Sequence, residues 1–130
     1  MAKKSTRSKL VQKADKIFSE YIRRRNADIF GTAECVTCGK KDHWKQLQCG
    51  HFQSRKHYAT RWDEINCQVQ CSGCNVFRYG EQYKFSLFLE KEYGAGTSDE
   101  LVQKASGIVK LSNFDLEYLI LHYKNLVSNL

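Results

Sequence analysis

Four thiols in two pairs bracket the residues whose types could do chemistry. Cys35-x-x-Cys38 and Cys71-x-x-Cys74 each leave a two-residue gap, which lets both thiolates of a pair reach one ion. Four sulfur donors satisfy tetrahedral zinc and leave no open position, so such a site is structural rather than catalytic. An iron–sulfur cluster uses the same residue type, but two matched knuckles favour zinc. Between the pairs lie Gly50-His51-Phe52-x-Ser54-Arg55 and then Asn66, and Asn75 follows the last thiol directly. A histidine at the end of a strand can take a proton from water. An asparagine on the paired strand can fix the histidine loop through its side-chain amide. A carboxamide at the start of the next helix can face a metal or cap the helix, or do both. With a cation against the scissile phosphate, these groups suffice for phosphodiester hydrolysis. Arg55 and Arg61, inside the insert, can clamp phosphate through bidentate hydrogen bonds or serve as salt-bridge partners. Cys49 and Cys67 read first as two small buried hydrophobes and second as replacement ligands.

The elements that must hold this insert are legible in part. From Lys9 to about Asp28 the apolar residues Leu10, Val11, Ala14, Ile17, Phe18, Tyr21 and Ile22 recur at three- and four-residue steps, one face of a helix. Arg23, Arg24 and Arg25 stand near its end, where basic side chains can meet phosphates or simply face solvent. Residues 1–8 are polar and basic and are expected to form a disordered arm. Trp44 to Cys49 is predicted as a short strand. Thr60 to Asn66 leads into a second one over Ile65 to Gln70. A helix is predicted from near Asn75 to about Tyr93, weakened by Gly80. Thr97-x-x-Glu100 reads as a capping box for a short helix over Leu101 to Ala105. Ser112 can cap a last helix with Phe114, Leu119, Ile120, Tyr123, Leu126 and Val127 inward.

The totals agree with this layout. A chain of 130 residues suits one domain, here residues 9–130, with the zinc and catalytic core at 35–93. A hydrophobic fraction of 42% and a charged fraction of 27% are ordinary for a globular protein. The absence of proline fits a helix-rich chain. A formal charge of +7 suits a polyanionic partner, DNA or RNA first. No stretch approaches the roughly 18 apolar residues of a membrane span, and the basic N-terminus lacks the apolar run of a secretory signal. The expectation is a cytoplasmic protein, in which six cysteines point to metal before disulfides.

At these residues the sequence resembles the HNH nucleases, and more closely the phage lambda NinG (Rap) family. The segments that carry the resemblance are Leu47-Gln48-Cys49-Gly50-His51-Phe52-Gln53-Ser54-Arg55, Thr60-Arg61-Trp62-Asp63-Glu64-Ile65-Asn66 and Gln70-Cys71-Ser72-Gly73-Cys74-Asn75. The resemblance implies an α+β, zinc-stapled ββα-metal fold with N- and C-terminal helices. It also implies a magnesium- or manganese-dependent endonuclease acting on branched recombination intermediates such as Holliday junctions and D-loops. On this reading His51 is the general base or a ligand of the catalytic metal, Asn75 a metal ligand, Asn66 the orienting residue, and Arg55 and Arg61 phosphate contacts. One position departs from the HNH pattern. Many members carry a side-chain ligand just before the histidine, and here that position is Gly50. His57, Asp63 and Glu64 are the candidates to replace it. The rival reading is a zinc-dependent DNA-binding module without catalysis, and a weaker one is a protein-interaction zinc domain. Paired cuts in a junction would suit a homodimer, though no dimer face is readable.

Overall fold

In the computed structural model, which describes residues 5–130, helix α1 spans Thr6–Arg24. It starts before the expected Lys9 because the Ser5 hydroxyl accepts the backbone N–H of Ser8 at 3.1 Å and caps it. Ser5 to Ser8 therefore belong to the helix and its cap, and the remainder of the expected arm, residues 1–4, lies outside the described residues. The helix also ends before Asp28, whose carboxylate accepts the N–H groups of Phe30 and Thr32 and turns the chain. Leu10, Ala14, Phe18 and Ile22, four residues apart, form the buried stripe. It packs on helix α5 (Asn113–Ser128) through Leu116, Ile120 and Tyr123. Ser112 and Asp115 cap α5 reciprocally. Phe114, expected inward, is exposed instead.

Two small antiparallel hairpins follow α1. Strands β1 (Thr32–Glu34) and β2 (Lys41–His43) carry the first thiol knuckle at their turn, a pairing the sequence did not signal. Gly39 takes φ +80° there, so its N–H returns to the Cys35 carbonyl at 2.9 Å. The expected strand at Trp44 is a short 3-10 turn over Trp44–Gln46, and strand β3 covers Gln48–His51. Its partner β4 (Cys67–Gln70) pairs Gln48 with Gln70 and His51 with Cys67. Helix α2 (Tyr58–Arg61) occupies the start of the stretch expected to lead into that strand. The Asp63 carboxylate then accepts the N–H groups of Ile65 and Asn66 and delays β4.

The long helix expected over 75–93 is broken. A π-type turn covers Gly73–Phe77, then Tyr79, Gly80 and Glu81 all take positive φ, and helix α3 starts at Gln82 and ends at Tyr93. Helix α4 (Thr97–Ala105) begins earlier than expected. The Glu90 carboxylate, not a Thr97–Glu100 box, accepts the N–H groups of Gly96 and Ser98 at its start.

The architecture is thus mixed α+β, with two small antiparallel sheets and flanking helices. One apolar core gathers Ala33, Leu47 and Val69 around Cys35, Cys71 and Cys74. A second joins Phe18, Ile22 and Tyr123 to Cys67, and Cys49 packs against it. Phe85, Leu89 and Leu101 join α3 to α4. Among the described residues no helix is long and apolar enough to cross a membrane.

Candidate functional site

The sulfurs of Cys35, Cys38, Cys71 and Cys74 all lie within 4.8 Å of one another, so the cluster can hold a metal such as zinc. Cys35, Cys71 and Cys74 are buried and Cys38 is exposed. The surrounding hydrogen bonds suit thiolates. Thr37 Oγ1 shares a hydrogen bond with Cys35 Sγ at 3.3 Å, the Cys74 N–H donates to Cys71 Sγ at 3.4 Å, and Arg78 donates to Cys74 Sγ at 3.2 Å. Burial opposes ionisation of Cys35, but the Thr37 hydroxyl and the backbone N–H groups outweigh it and bring the thiol down to about 6. Cys38 moves upward. A backbone hydrogen bond at Lys40 lowers it, but burial and the neighbouring sulfurs prevail. Thiolates crowded in this way repel one another, and a bound cation relieves that repulsion.

Beside this cluster α1, β3 and the segment after β4 line a groove of about 720 Å³, which brings together Asp15, Arg23, His51, Arg55, Asn75 and Tyr79. His51 ends β3, with its Nε2 at 2.9 Å from the Arg61 carbonyl. A carbonyl can only accept, so Nε2 carries the proton and Nδ1 the lone pair. Burial pushes the imidazolium below its ordinary 6.5, with the Arg61 carbonyl and Asp15 opposing and the Arg55 charge adding to the shift. The ring is therefore neutral at neutral pH, the form a general base needs.

Asn75 lies within the π-type turn rather than at a helix cap, which removes the capping alternative. Its Nδ2 donates to Gln48 Oε1 at 2.8 Å, which leaves Oδ1 as the oxygen donor. Asn66 is fully buried and does not line the groove. Its Oδ1 accepts the Gln53 N–H at 2.8 Å, and its Nδ2 donates to the carbonyls of Gln53 and Thr60 at 3.0 Å. It therefore fixes the loop that follows His51.

The arginines separate into different roles. Arg61 grips the Asp15 carboxylate through Nε at 3.0 Å and Nη2 at 2.6 Å and donates to the Arg55 carbonyl. It is held inside the protein rather than presented to a phosphate. Arg25 donates to the Cys67 carbonyl and Gln68 Oε1, so it too is a structural tie. Arg24 pairs with Glu20 at 2.9 Å and lies over Trp44. Arg23 lines the groove while donating to Ser19 and to the Trp44 carbonyl. Among the described residues Arg55 is the freest cation on the groove, 63% exposed and 3.8 Å from Asp15.

Gly50 has a steric cause. A Cβ there would sit 1.8 Å from Oε1 of Gln70, a fully buried side chain that donates to Thr37 Oγ1 and to the Gly80 carbonyl. The candidates for a replacement ligand do not come to the groove. Asp63 is bound by Lys104 and by two backbone N–H groups. Glu64 accepts from Tyr21 and Tyr123. His57 only precedes α2. The ligand atoms of Cys49, His51 and Cys67 also lie within 4.8 Å of one another. Burial, then the neighbouring Cys49 sulfur, raises the Cys67 thiol well above its usual value. That keeps it protonated and favours the packing role. Asp15, Gln70 and Tyr79 were not singled out from sequence. Asp15 meets Arg61 only through a contact 46 residues away in the chain, for which local pattern carries no signal.

The family model described as "Bacteriophage Lambda NinG protein" matches residues 1–130. The chain is similar to "Protein ninG" of Salmonella phage P22, with 27% identity over 96 residues, 73% of this chain and 45% of that protein. The chain therefore spans less than half the length of this curated relative. No solved structure matches.

Proposed function

The chain belongs to the NinG family, and from that premise we propose that it is an HNH-type, metal-dependent DNA endonuclease acting on branched recombination intermediates such as Holliday junctions and D-loops. One observation carries the reading. His51 is neutral, with its protonated nitrogen fixed on the Arg61 carbonyl, and it shares one groove with Asn75 and Arg55. The order of β3, β4 and then a helical turn bearing Asn75 supports the ββα-metal assignment.

The residues divide the reaction as follows. Arg55, helped by Arg23, holds the phosphate of the strand to be cut. His51 Nδ1 takes a proton from a water molecule as its oxygen bonds to phosphorus. The bond from phosphorus to the leaving sugar oxygen breaks, and that oxygen takes a proton from solvent. Arg61, held by Asp15, keeps His51 in its tautomer through its carbonyl. Asn75 Oδ1 would help hold magnesium or manganese, which would supply positive charge against the phosphate. The donor set fits loosely, because Asp15, the one carboxylate on the groove among the described residues, already binds Arg61. Zinc in the four-cysteine site would staple the knuckles that carry the groove. A homodimer would place two grooves for paired cuts, and a phage-encoded chain of this kind would work in the cytoplasm of the bacterial host.

The test is incubation of the purified chain with a four-way junction, with magnesium, with manganese and with chelator. Wild type should cut only with metal. His51→Ala should keep its zinc and its DNA affinity and cut about 10²–10⁴ times more slowly. Wild type that binds the junction without cutting it under any metal would leave the non-catalytic DNA-binding module as the reading. His51→Ala cutting at the wild-type rate would remove His51 as base.

A further inference from the structure

Between the second thiol knuckle and α3 the chain makes an unusual turn. Tyr79 has φ +53° and Glu81 φ +50°, the two non-glycine residues in the left-handed region among those described, and Gly80 between them has φ +87°. Side chains of L-residues resist that region, so surrounding contacts must impose it. The Gly80 N–H donates to the Cys74 carbonyl at 2.7 Å, and its own carbonyl accepts Gln70 Nε2 at 2.9 Å. Arg78 spans from Cys74 Sγ to the Glu81 carboxylate at 3.2 Å each. The turn is thus fastened to the thiol cluster and to the end of β4.

What this turn presents is one aromatic ring. Tyr79 is 89% exposed, makes no aromatic contact or side-chain hydrogen bond with the rest of the described residues, and lines the groove that holds His51 and Arg55. A bare tyrosine on a fixed mount loses little freedom on binding and offers a flat π face. Base faces are hidden inside a stacked duplex and become accessible where bases are unpaired or splayed.

We propose that Tyr79 is a base-stacking post, which takes the face of an unpaired DNA base beside the phosphate held in the groove. The proposal rests on the nuclease reading of that groove. Arg55 and Arg23 select a polyanion as the occupant rather than an apolar peptide, and the ring adds preference for open or branched DNA over duplex without reading sequence. The thiol cluster then acquires a second task, holding the post in place.

The experiment uses the full chain with a fluorescent 2-aminopurine placed at an unpaired position in branched DNA, compared with a duplex of the same sequence. Binding is measured in metal-free buffer and cleavage with magnesium. Wild type should quench the probe and prefer the open substrate. Tyr79→Ala should lose the quench and about tenfold in affinity for the open substrate, with duplex affinity unchanged. Tyr79→Phe should restore both. Tyr79→Gly, which suits the left-handed backbone, should melt no lower than wild type and behave as Tyr79→Ala, so that a folding defect cannot imitate the effect. Unchanged quench and preference in Tyr79→Ala and Tyr79→Gly would overturn the proposal, even where wild type cuts normally. Quench and preference in a wild type that never cuts would support the post and overturn the nuclease assignment.

Discussion

Asp15 shows how a single residue reaches the site without bearing the chemistry. Its carboxylate accepts from Arg61 Nε and Nη2 and also from Trp62 Nε1 at 3.0 Å. The Arg61 carbonyl in turn holds His51. Asp15→Asn removes the charge but keeps the shape, so it should cost about 2 kcal/mol of stability by weakening charge-assisted bonds. On the proposed nuclease reading it should also lower kcat with KM little changed, because it would loosen His51 rather than the Arg55 contact to phosphate. Melting curves and steady-state cleavage of a junction read both, and equal kcat in the two proteins would exclude the positioning role. His51 itself is partly buried and bonded, so His51→Ala should melt below wild type, whereas sequence alone predicts no such cost. The sequence marks His51, Asn66 and Asn75 by type and order. It cannot show that Arg61 faces inward and Arg55 outward, because that difference depends on a partner in α1.

At the scale of elements, β3 and β4 are joined by a crossing that local pattern hides. The Gln70 side chain fills the space over Gly50. Gly50→Ala should therefore destabilise by about 1–3 kcal/mol, the range for forcing extra atoms into a packed interior. Gln70→Ala in the same chain should recover part of that loss. A double-mutant cycle by denaturant unfolding measures the coupling, and additive effects would show that the two side chains do not compete. The turn before β4 makes a second prediction. Burial tends to raise Asp63, but Lys104 and the N–H groups of Asn66 and Ile65 together hold its carboxyl below the ordinary 3.8. Its contribution is complete above the unfolded-state value and is lost as pH falls through the lower folded-state value. The melting temperatures of wild type and Asp63→Asn should therefore converge as pH falls from above the ordinary 3.8 through the lower folded-state value. A constant gap over that range would show that the carboxylate charge is not what stabilises the turn. The terminal helices α1 and α5 were legible because their apolar steps are regular. The break after Asn75 was not, because Gly80 signals a weak helix but nothing local signals a left-handed Tyr79.

For the whole molecule, the thiol-centred core and the helical core meet on one short strand. Val69 of β4 packs with the cysteines, and Cys67 of the same strand packs with Phe18 and Tyr123. Charge is also distributed by this arrangement, and the formal total of +7 overstates what a polyanionic partner could reach. Arg25 is occupied by the Cys67 carbonyl, Arg61 by Asp15 and Arg24 by Glu20. Arg55 is both exposed and on the groove. Each phosphate neutralised contributes about 0.9 to the slope of log affinity against log salt on duplex DNA. Arg55→Gln should lower that slope by about 0.9 while leaving the melting temperature near wild type. Arg25→Gln should do the reverse, with a lower melting temperature and an unchanged slope, because its guanidinium binds the β4 backbone rather than DNA. Salt titrations of junction binding beside melting curves separate the two. A slope that falls equally in both variants would mean that DNA reaches Arg25, and with it a face of α1 that the folded chain keeps for itself.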